Sequence, residues 1–422
     1  MNIVIFACVD FPEGPATTSR IRLLSRTLHA AGHSVALAIF NANAKNAITE
    51  NTMAEGCFES IDFRYLSGRT VRPTGFFGIL SDTVKGIANS VFYLAEMRKE
   101  GRADAVLLYT PDIFRCLPVV LMAKLGRIPL VMELCEIFSS DRRKGGLKET
   151  IGRLGAQFGD RKLPVWSSGV MAISTKIIGY LKQQGISDGK IVHLPVLVDY
   201  DRFVRESRAV VPCLTGKRYF LNSGALDEKE GLNFIMEAFA HVAAKYEEVR
   251  LALTGSPAKG RREQVLEFAR KLNIEDKLIF TGYLSPEQLI WAYQHAAALL
   301  CCRAGMEFAN YGFPTKLAEY LSSGSPVIAN GVGDMPIYLK DGESAFMAVA
   351  EDSASISGQM KKVLDNTALA VRIGLNGRKV AERYFDFRNY EAILDEFLRS
   401  VCLKQESGEY RGNRPNTEVQ SK

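Results

Sequence analysis

The sequence contains no uninterrupted apolar run approaching the roughly 18–20 residues that a membrane-spanning helix needs. Its apolar opening, Ile3-Val4-Ile5-Phe6, has no basic stretch before it and meets Asp10 at once. That argues for a first β-strand rather than a signal peptide. Cysteine is sparse and unpatterned: eight residues stand singly apart from Cys301-Cys302, with no CxxC and no Cys/His ligand spacing. A zinc site is therefore not expected, and Cys8, Cys135, Cys301 and Cys302 read as buried thiols in strand-like runs, which suits a reducing cytoplasm. No GxGxxG fingerprint and no P-loop occur, and no Asp-x-Asp pair is read as a metal motif. Charge of one sign is also scarce: a net +6 over 422 residues is too weak and dispersed for a nucleic-acid partner. It remains compatible with anionic substrates or an anionic membrane surface.

What is present is enough for two buried cores. The chain is 422 residues long and 47% apolar, which predicts two domains rather than one. Short apolar runs alternate with longer amphipathic segments, the pattern of βα units on a parallel sheet. In the first half, strands are expected at 3–7, 34–40, 105–109, 129–134, 170–173 and 191–194, with a helix over 18–31. A charged, proline-bearing linker follows at 201–217, after a domain spanning 1–200. The pattern then restarts over 218–385. Strands are expected there at 218–223, 250–254, 277–281, 297–302 and 326–329. Helices are expected at 232–246, 261–272, 286–295 and 314–323. A terminal helix at 386–403, passing back to the first domain, and a disordered polar tail at 404–422 complete the layout.

The segment from Gly312 to Gly324 carries the strongest chemical signal. Pro314 suits a helix's first turn and Gly324 its end. A helix start at the carboxyl edge of a sheet offers free backbone N–H groups and a partial positive charge to phosphate oxygens. Lys316 in that first turn adds a full cation where a helix ordinarily disfavours one. Glu319 lies one turn later on the same face, where a carboxylate can accept two hydrogen bonds from a ribose diol. An ordinary surface Lys–Glu pair is the alternative for these two residues alone.

The stretch from Arg303 to Asp334 resembles the donor-binding core of family 4 glycosyltransferases. The resemblance is carried by Phe313-Pro314-Thr315-Lys316-Leu317-Ala318-Glu319-Tyr320-Leu321, Gly324-Ser325-Pro326 and Gly331-Val332-Gly333-Asp334. Gly224 to Leu232, Leu251–Gly255 and Lys340-Asp341-Gly342-Glu343 are similar to other family segments in the same order. So, in the first half, are Phe11-Pro12-Glu13-Gly14-Pro15-Ala16 with Arg20, and Leu194-Pro195 with Val198-Asp199. The resemblance covers residues 1–400. It implies the GT-B fold, an α/β chain of two Rossmann-like domains facing a central cleft. It further implies a retaining, metal-independent transfer of a sugar from a nucleoside diphosphate sugar to a glycan or lipid-linked acceptor, as in polysaccharide biosynthesis. No cofactor is implied, since the nucleotide sugar is a co-substrate. Gly224, Lys229, Arg303, Gly312, Phe313, Pro314, Thr315, Lys316 and Glu319 fall in its donor site. A nucleotide-sugar epimerase of the same architecture and a non-catalytic nucleotide-sugar binder are the alternatives.

The departures are as informative. The family motif carries two glutamates eight positions apart, and counting back from Glu319 reaches Tyr311. Glu307 is the nearest upstream carboxylate that can stand in as a catalytic group; an exposed loop carboxylate is its other reading. The Arg and Lys of the first donor loop are replaced by Ala225 and Glu230, which leaves Lys229, Arg303 and Lys316 as the cations for a diphosphate.

In the first half, Gly14 opens a small-residue loop before a helix that Thr17 or Thr18 can cap. Arg20 reads either as an acceptor- or phosphate-binding group or as part of a solvated helix face. Glu136, just past a buried strand, is either a general acid/base or a loop carboxylate. Residues 141–162 alternate basic side chains with Leu147, Ile151, Leu154 and Phe158 at helical spacing, and Phe76-Phe77-Gly78-Ile79-Leu80 is a second apolar stretch. Either these contact an anionic membrane, which would place the protein at the inner face of the cell membrane, or the helix packs its apolar stripe on its own domain.

Overall fold

A computed structural model describes residues 1–44, 51–137, 147–224, 226, 230–255 and 260–407. Its contacts divide the chain into two units. One holds Met1–Ala172, Ile178–Leu194 and the described part of Tyr390–Lys422; the other holds Ile173–Ile177 and Pro195–Asn389.

The first unit alternates strands and helices in the order β1 (Asn2–Ala7), α1 (Ala16–Ala30), β2 (Ser34–Ile39), β3 (Glu55–Phe58), β4 (Ile61–Tyr65) and α2 (Phe76–Lys99). It continues through β5 (Ala105–Tyr109), α3 (Ile113–Gly126), β6 (Leu130–Leu134), α4 (Leu147–Trp166), β7 (Gly169–Ala172), α5 (Thr175–Gln183, whose start belongs to the second unit) and β8 (Ile191–His193). The eight strands lie in the order β3-β4-β2-β1-β5-β6-β7-β8. All neighbours run parallel except the β3–β4 hairpin. Central parallel strands are buried on both faces and so read as continuous apolar runs; Ile3 to Ala7 and Ala105 to Leu108 are both fully buried.

The second unit contains α6 (Tyr200–Val204), β9 (Arg218–Ser223), α7 (Leu232–Ala243), β10 (Val249–Thr254), α8 (Arg261–Lys271), β11 (Leu278–Gly282), α9 (Pro286–Gln294) and β12 (Ala298–Cys301). After these come α10 (Thr315–Ser323), β13 (Val327–Asn330), α11 (Met335–Tyr338), β14 (Phe346–Ala348), α12 (Ser353–Asp365) and α13 (Thr367–Tyr384). Its sheet is all parallel in the order β11-β10-β9-β12-β13-β14. Phe220, Met236, Phe239, Leu251, Leu300, Ile328 and Ile373 form part of one apolar cluster. The final helix, α14 (Glu391–Ser407), packs on α1 in the first unit. Leu394, Phe397, Leu398 and Val401 are the buried apolar residues of α14.

Several elements differ from the sequence reading. The stretch expected as a linker is folded into the second unit, with Val211 and Leu214 buried. The terminal helix runs to Ser407, three residues past the expected start of the tail at 404; residues 408–422 lie outside the described residues. Helices α2, α3, α12 and α13 and the β3–β4 hairpin had no counterpart in the expected pattern.

Candidate functional site

In the second unit the strand order reverses at β9, which has β10 on one side and β12 on the other. Loops leaving the carboxyl ends of strands that flank such a reversal form the natural ligand crevice of an open α/β sheet. Three chain segments meet there: the end of β9 with Asn222 and Ser223, the end of β12 with Cys301 to Arg303, and the start of α10.

Helix α10 begins after Pro314 with no side chain capping it, and ends at Gly324 in the left-handed conformation (φ 78°). Its first turn therefore presents unsatisfied N–H groups. The Lys316 ammonium sits 3.0 Å from Asn222 Oδ1, 3.0 Å from the Ser223 carbonyl and 2.5 Å from Glu230 Oε2. Three acceptors use all three of its hydrogens. Burial disfavours the ammonium, but the adjacent Glu230 carboxylate more than offsets this and holds its pKa above the ordinary value. Glu230 precedes Gly231, whose φ is 65° and where a Cβ would lie 2.0 Å from the Cys302 carbonyl oxygen. Only glycine lets α7 start this close to β12.

Glu319 behaves differently. Burial raises its carboxyl pKa to about 7, against the opposing pull of the Tyr293 hydroxyl and of Arg202. Tyr293 donates to Glu319 Oε2 at 3.3 Å, so the Ser223 hydroxyl, 3.0 Å away, donates to Tyr293. Tyr320 in turn donates to Ser223 Oγ at 2.8 Å while accepting from the Ser223 N–H. The result is a directed hydrogen-bond chain from Tyr320 through Ser223 and Tyr293 to Glu319, a half-buried carboxylate with capacity to accept more.

Other expected donor residues are placed as supports. Arg303 is buried; its Nη1 donates to the carbonyls of Ala309 (2.9 Å) and Gly312 (3.3 Å). Its backbone exchanges hydrogen bonds with the Asn330 side chain. Through Nη1 it braces the loop before α10. Phe313 is buried against Tyr338 and Phe385 at ring separations of 5.6 and 5.5 Å, so its ring packs the unit's interior. Pro314 and Gly312 are buried with it, and Thr315 is partly exposed. Gly224 is exposed, with φ 130° and its N–H on the Thr254 carbonyl. Lys229 lies outside the described residues. Asp334, at the end of the glycine-rich stretch, accepts from the Thr175 N–H at 2.6 Å and its hydroxyl at 2.7 Å, capping α5. Sequence reasoning assigned Asp334 no such role.

The expected catalytic carboxylates are not gathered. Glu307 sits exposed on a 3-10 turn, Glu307–Asn310, and Glu136 is exposed after β6. Among the described residues, no contact holds either carboxylate. One buried carboxylate of the first unit is Glu133, which the sequence reading passed over. Arg20 Nε donates to Glu133 Oε1 at 2.7 Å and Nη2 donates to the Leu194 carbonyl at 2.8 Å. Both side chains are almost wholly buried, so Arg20 is on neither a solvated face nor an open one. Glu133 Oε2 is buried and has no hydrogen-bond partner among the described residues. Thr18 does not cap α1: its hydroxyl donates to the Asp10 carbonyl at 2.6 Å, and no side chain caps the start after Pro15. Gly14, next to it, is exposed, and a Cβ there would lie 2.3 Å from Thr18 Oγ1.

No group of three or more His, Cys, Asp or Glu capable of holding a metal occurs among the described residues. The Asp-x-Asp spacing at Asp199–Asp201 is structural: Asp199 begins α6 and Asp201 pairs with Arg388. All eight cysteines are free thiols. No described helix is long and apolar enough to cross a membrane.

Comparison with known proteins gives a family match for part of the chain and a shared fold for nearly all of it. Residues 204–380 match the family model described as glycosyl transferases group 1. Over 94–95% of its length the chain shares the fold of two solved structures. Anabaena HepE, in complex with UDP and glucose, superposes with a TM-score of 0.70 at 16% identity, over 95% of this chain and 100% of that one. Sucrose-phosphate synthase from Thermosynechococcus elongatus gives 0.73 at 15% identity, over 94% and 98%. The chain thus has the GT-B fold, and residues 204–380 of its second unit match the group 1 glycosyl transferase model, with which family 4 is consistent. Among curated proteins, the D-inositol 3-phosphate glycosyltransferase of Corynebacterium diphtheriae is 26% identical over 156 residues, 36% of this chain and 35% of that protein. The chain spans about a third of the length of that relative.

Proposed function

We propose that this chain transfers a sugar from a nucleoside diphosphate sugar, bound by its second unit, to an acceptor hydroxyl of a glycan or lipid-linked saccharide. The observation that carries the reading is the start of α10. There an uncapped helix N-terminus, the Lys316 ammonium and the half-buried Glu319 carboxylate converge at the sheet's point of reversal. Helix N–H groups and Lys316 suit a diphosphate, and Glu319 suits a ribose diol. In this account the donor's phosphates share or displace the Glu230 contact of Lys316. The named activity of the curated relative and the UDP and glucose bound by HepE support a nucleotide-sugar donor. Retention and metal independence follow from the family resemblance. Positioning of the donor and neutralisation of the departing diphosphate carry the chemistry. Cysteines present as free thiols, of which Cys116, Cys301 and Cys302 are buried, suit a cytoplasmic site of action at the inner face of an anionic membrane, where a lipid-linked acceptor is reached.

The epimerase alternative needs a histidine–carboxylate set beside the donor. His33 instead lies buried 3.1 Å from Asp395, and His295 stacks on Trp291. The purified chain, incubated with a panel of nucleotide sugars, is expected to release nucleoside diphosphate slowly without acceptor and faster with one. Binding without any release would instead identify a non-catalytic binder.

A further inference from the structure

Three neighbouring helices of the first unit, α2, α3 and α4, leave a continuous supply of large apolar side chains in solvent. On α3, Ile113, Cys116, Val120 and Ala123 face the unit's interior. The opposite stripe, Phe114, Leu117, Leu121 and Leu125, is apolar too and exposed, Leu125 by 81%. The spacing of three, four and four residues puts that stripe on one helix face. On α2, Phe77, Leu80, Val84 and Phe92 are exposed in the same periodic manner, Phe77 by 83%, with Phe76 beside it. On α4, Leu154, Phe158 and Val165 are exposed.

The helices adjoin one another, α2 to α3 and α3 to α4. Helix α4 meets its neighbour through glycines: a Cβ at Gly155 would lie 2.6 Å from the Phe114 ring, and one at Gly159 would lie 1.7 Å from the Pro111 carbonyl oxygen. Leu163 is buried, but Leu154 and Phe158 are about half exposed, so the described part of the apolar stripe is not covered by its own domain. A single exposed leucine is ordinary, but a dozen on adjoining helices form a patch that marks a contact surface.

Charge selects the partner. Lys85 on α2, Lys124 on α3, and Arg153, Arg161 and Lys162 on α4 accompany the apolar stripes. Of the acids on these helices, Asp82 on α2 and Asp160 on α4 are buried, Glu96 lies near the far end of α2, Glu149 belongs to the first turn of α4, and α3 carries none. A basic face of this kind repels a second copy of itself and attracts an anionic lipid headgroup layer, into which the apolar side chains can insert.

We propose that the α2–α3–α4 face of the first unit docks flat on an anionic phospholipid bilayer, with the α3 stripe Phe114–Leu117–Leu121–Leu125 at its centre. It rests on the transferase reading only for its use, the delivery of a lipid-linked acceptor. The test is flotation of the full chain with vesicles of phosphatidylcholine alone or with 30 mol% phosphatidylglycerol. Wild type is expected to float with the anionic vesicles, with a partition coefficient that drops at least tenfold for Leu121→Glu/Leu125→Glu. Arg161→Glu/Lys162→Glu is expected to lower it by roughly fivefold or more per charge and to flatten its dependence on salt. Both variants replace exposed side chains and are expected to melt as wild type. Wild type failing to float at low salt, or the leucine variant floating equally well, overturns the proposal. So does a wild-type dimer that the leucine variant dissolves, because the face then belongs to a second copy. Donor hydrolysis in vesicle-free solution reports on the transferase reading separately.

Discussion

The carboxyl of Glu319 gives the sharpest handle on the donor site. With a ligand-free pKa of about 7, it is about nine-tenths ionised at pH 8, half at pH 7 and one-tenth at pH 6. A ribose diol donates hydrogen bonds and so selects the ionised form. Apparent affinity scales with the competent fraction, so the Kd of a nucleotide sugar is expected to rise roughly tenfold from pH 8 to pH 6, about 1.4 kcal/mol. A nucleotide sugar such as UDP-glucose is the suitable probe, because its diphosphate diester has no proton to exchange in this range. Calorimetry at pH 6 in buffers of different ionisation enthalpy should find close to one proton released per molecule bound. Glu319→Gln should flatten the profile and bind weakly at every pH. The same shift bears on folding: the native pKa lies above the unfolded 4.5, so folding favours the neutral acid. The burial cost is absent below pH 4.5 and complete above pH 7. Glu319→Gln should therefore stabilise the ligand-free protein at pH 8, by of order 1–3 kcal/mol, and leave it unchanged at pH 4. A pH-independent Kd in wild type, or the same pH dependence in Glu319→Gln, would refute this reasoning.

Three further outcomes are expected. Lys316→Ala strands the Glu230 carboxylate and should cost about 3 kcal/mol in urea unfolding while removing donor binding. Glu133→Ala should cost a similar amount by leaving Arg20 buried without its carboxylate, and Arg20→Met/Glu133→Leu should recover most of the loss. In Gly169→Val the added methyls meet Phe397 and Val401, since a Cβ alone would come within 2.7 and 2.8 Å of them. A loss of about 1–3 kcal/mol is expected, read as a lower melting temperature.

How much of this was legible beforehand depended on local signals. Helix α10 announced itself through Pro314, Gly324 and a periodic apolar set, and it forms within one residue of the expected start. Helix α3 had no amphipathic period to find, because both its stripes are apolar and one of them faces solvent. The β3–β4 hairpin turns through Glu59 and Ser60 at φ 48° and 63°, so no glycine or asparagine marks it. The site's partners were harder still. Glu133 sits in a strand whose neighbours are all apolar, and its cation lies 113 residues away in sequence. Arg303 carried the right charge in the right place, but only the loop geometry shows its Nη1 turned onto the Ala309 and Gly312 carbonyls. The occupation of Lys316 by Glu230 likewise needed three dimensions, because 86 residues separate a pair that the sheet reversal brings together.

The central claim is that the start of α10 is a donor cradle. Its most direct test is the change in melting temperature on adding a panel of nucleoside diphosphate sugars to wild type, Lys316→Ala and Glu319→Ala. The account predicts a clear upward shift with at least one nucleotide in wild type and none in either variant. If both variants keep the shift, the donor binds elsewhere and the cradle is wrong.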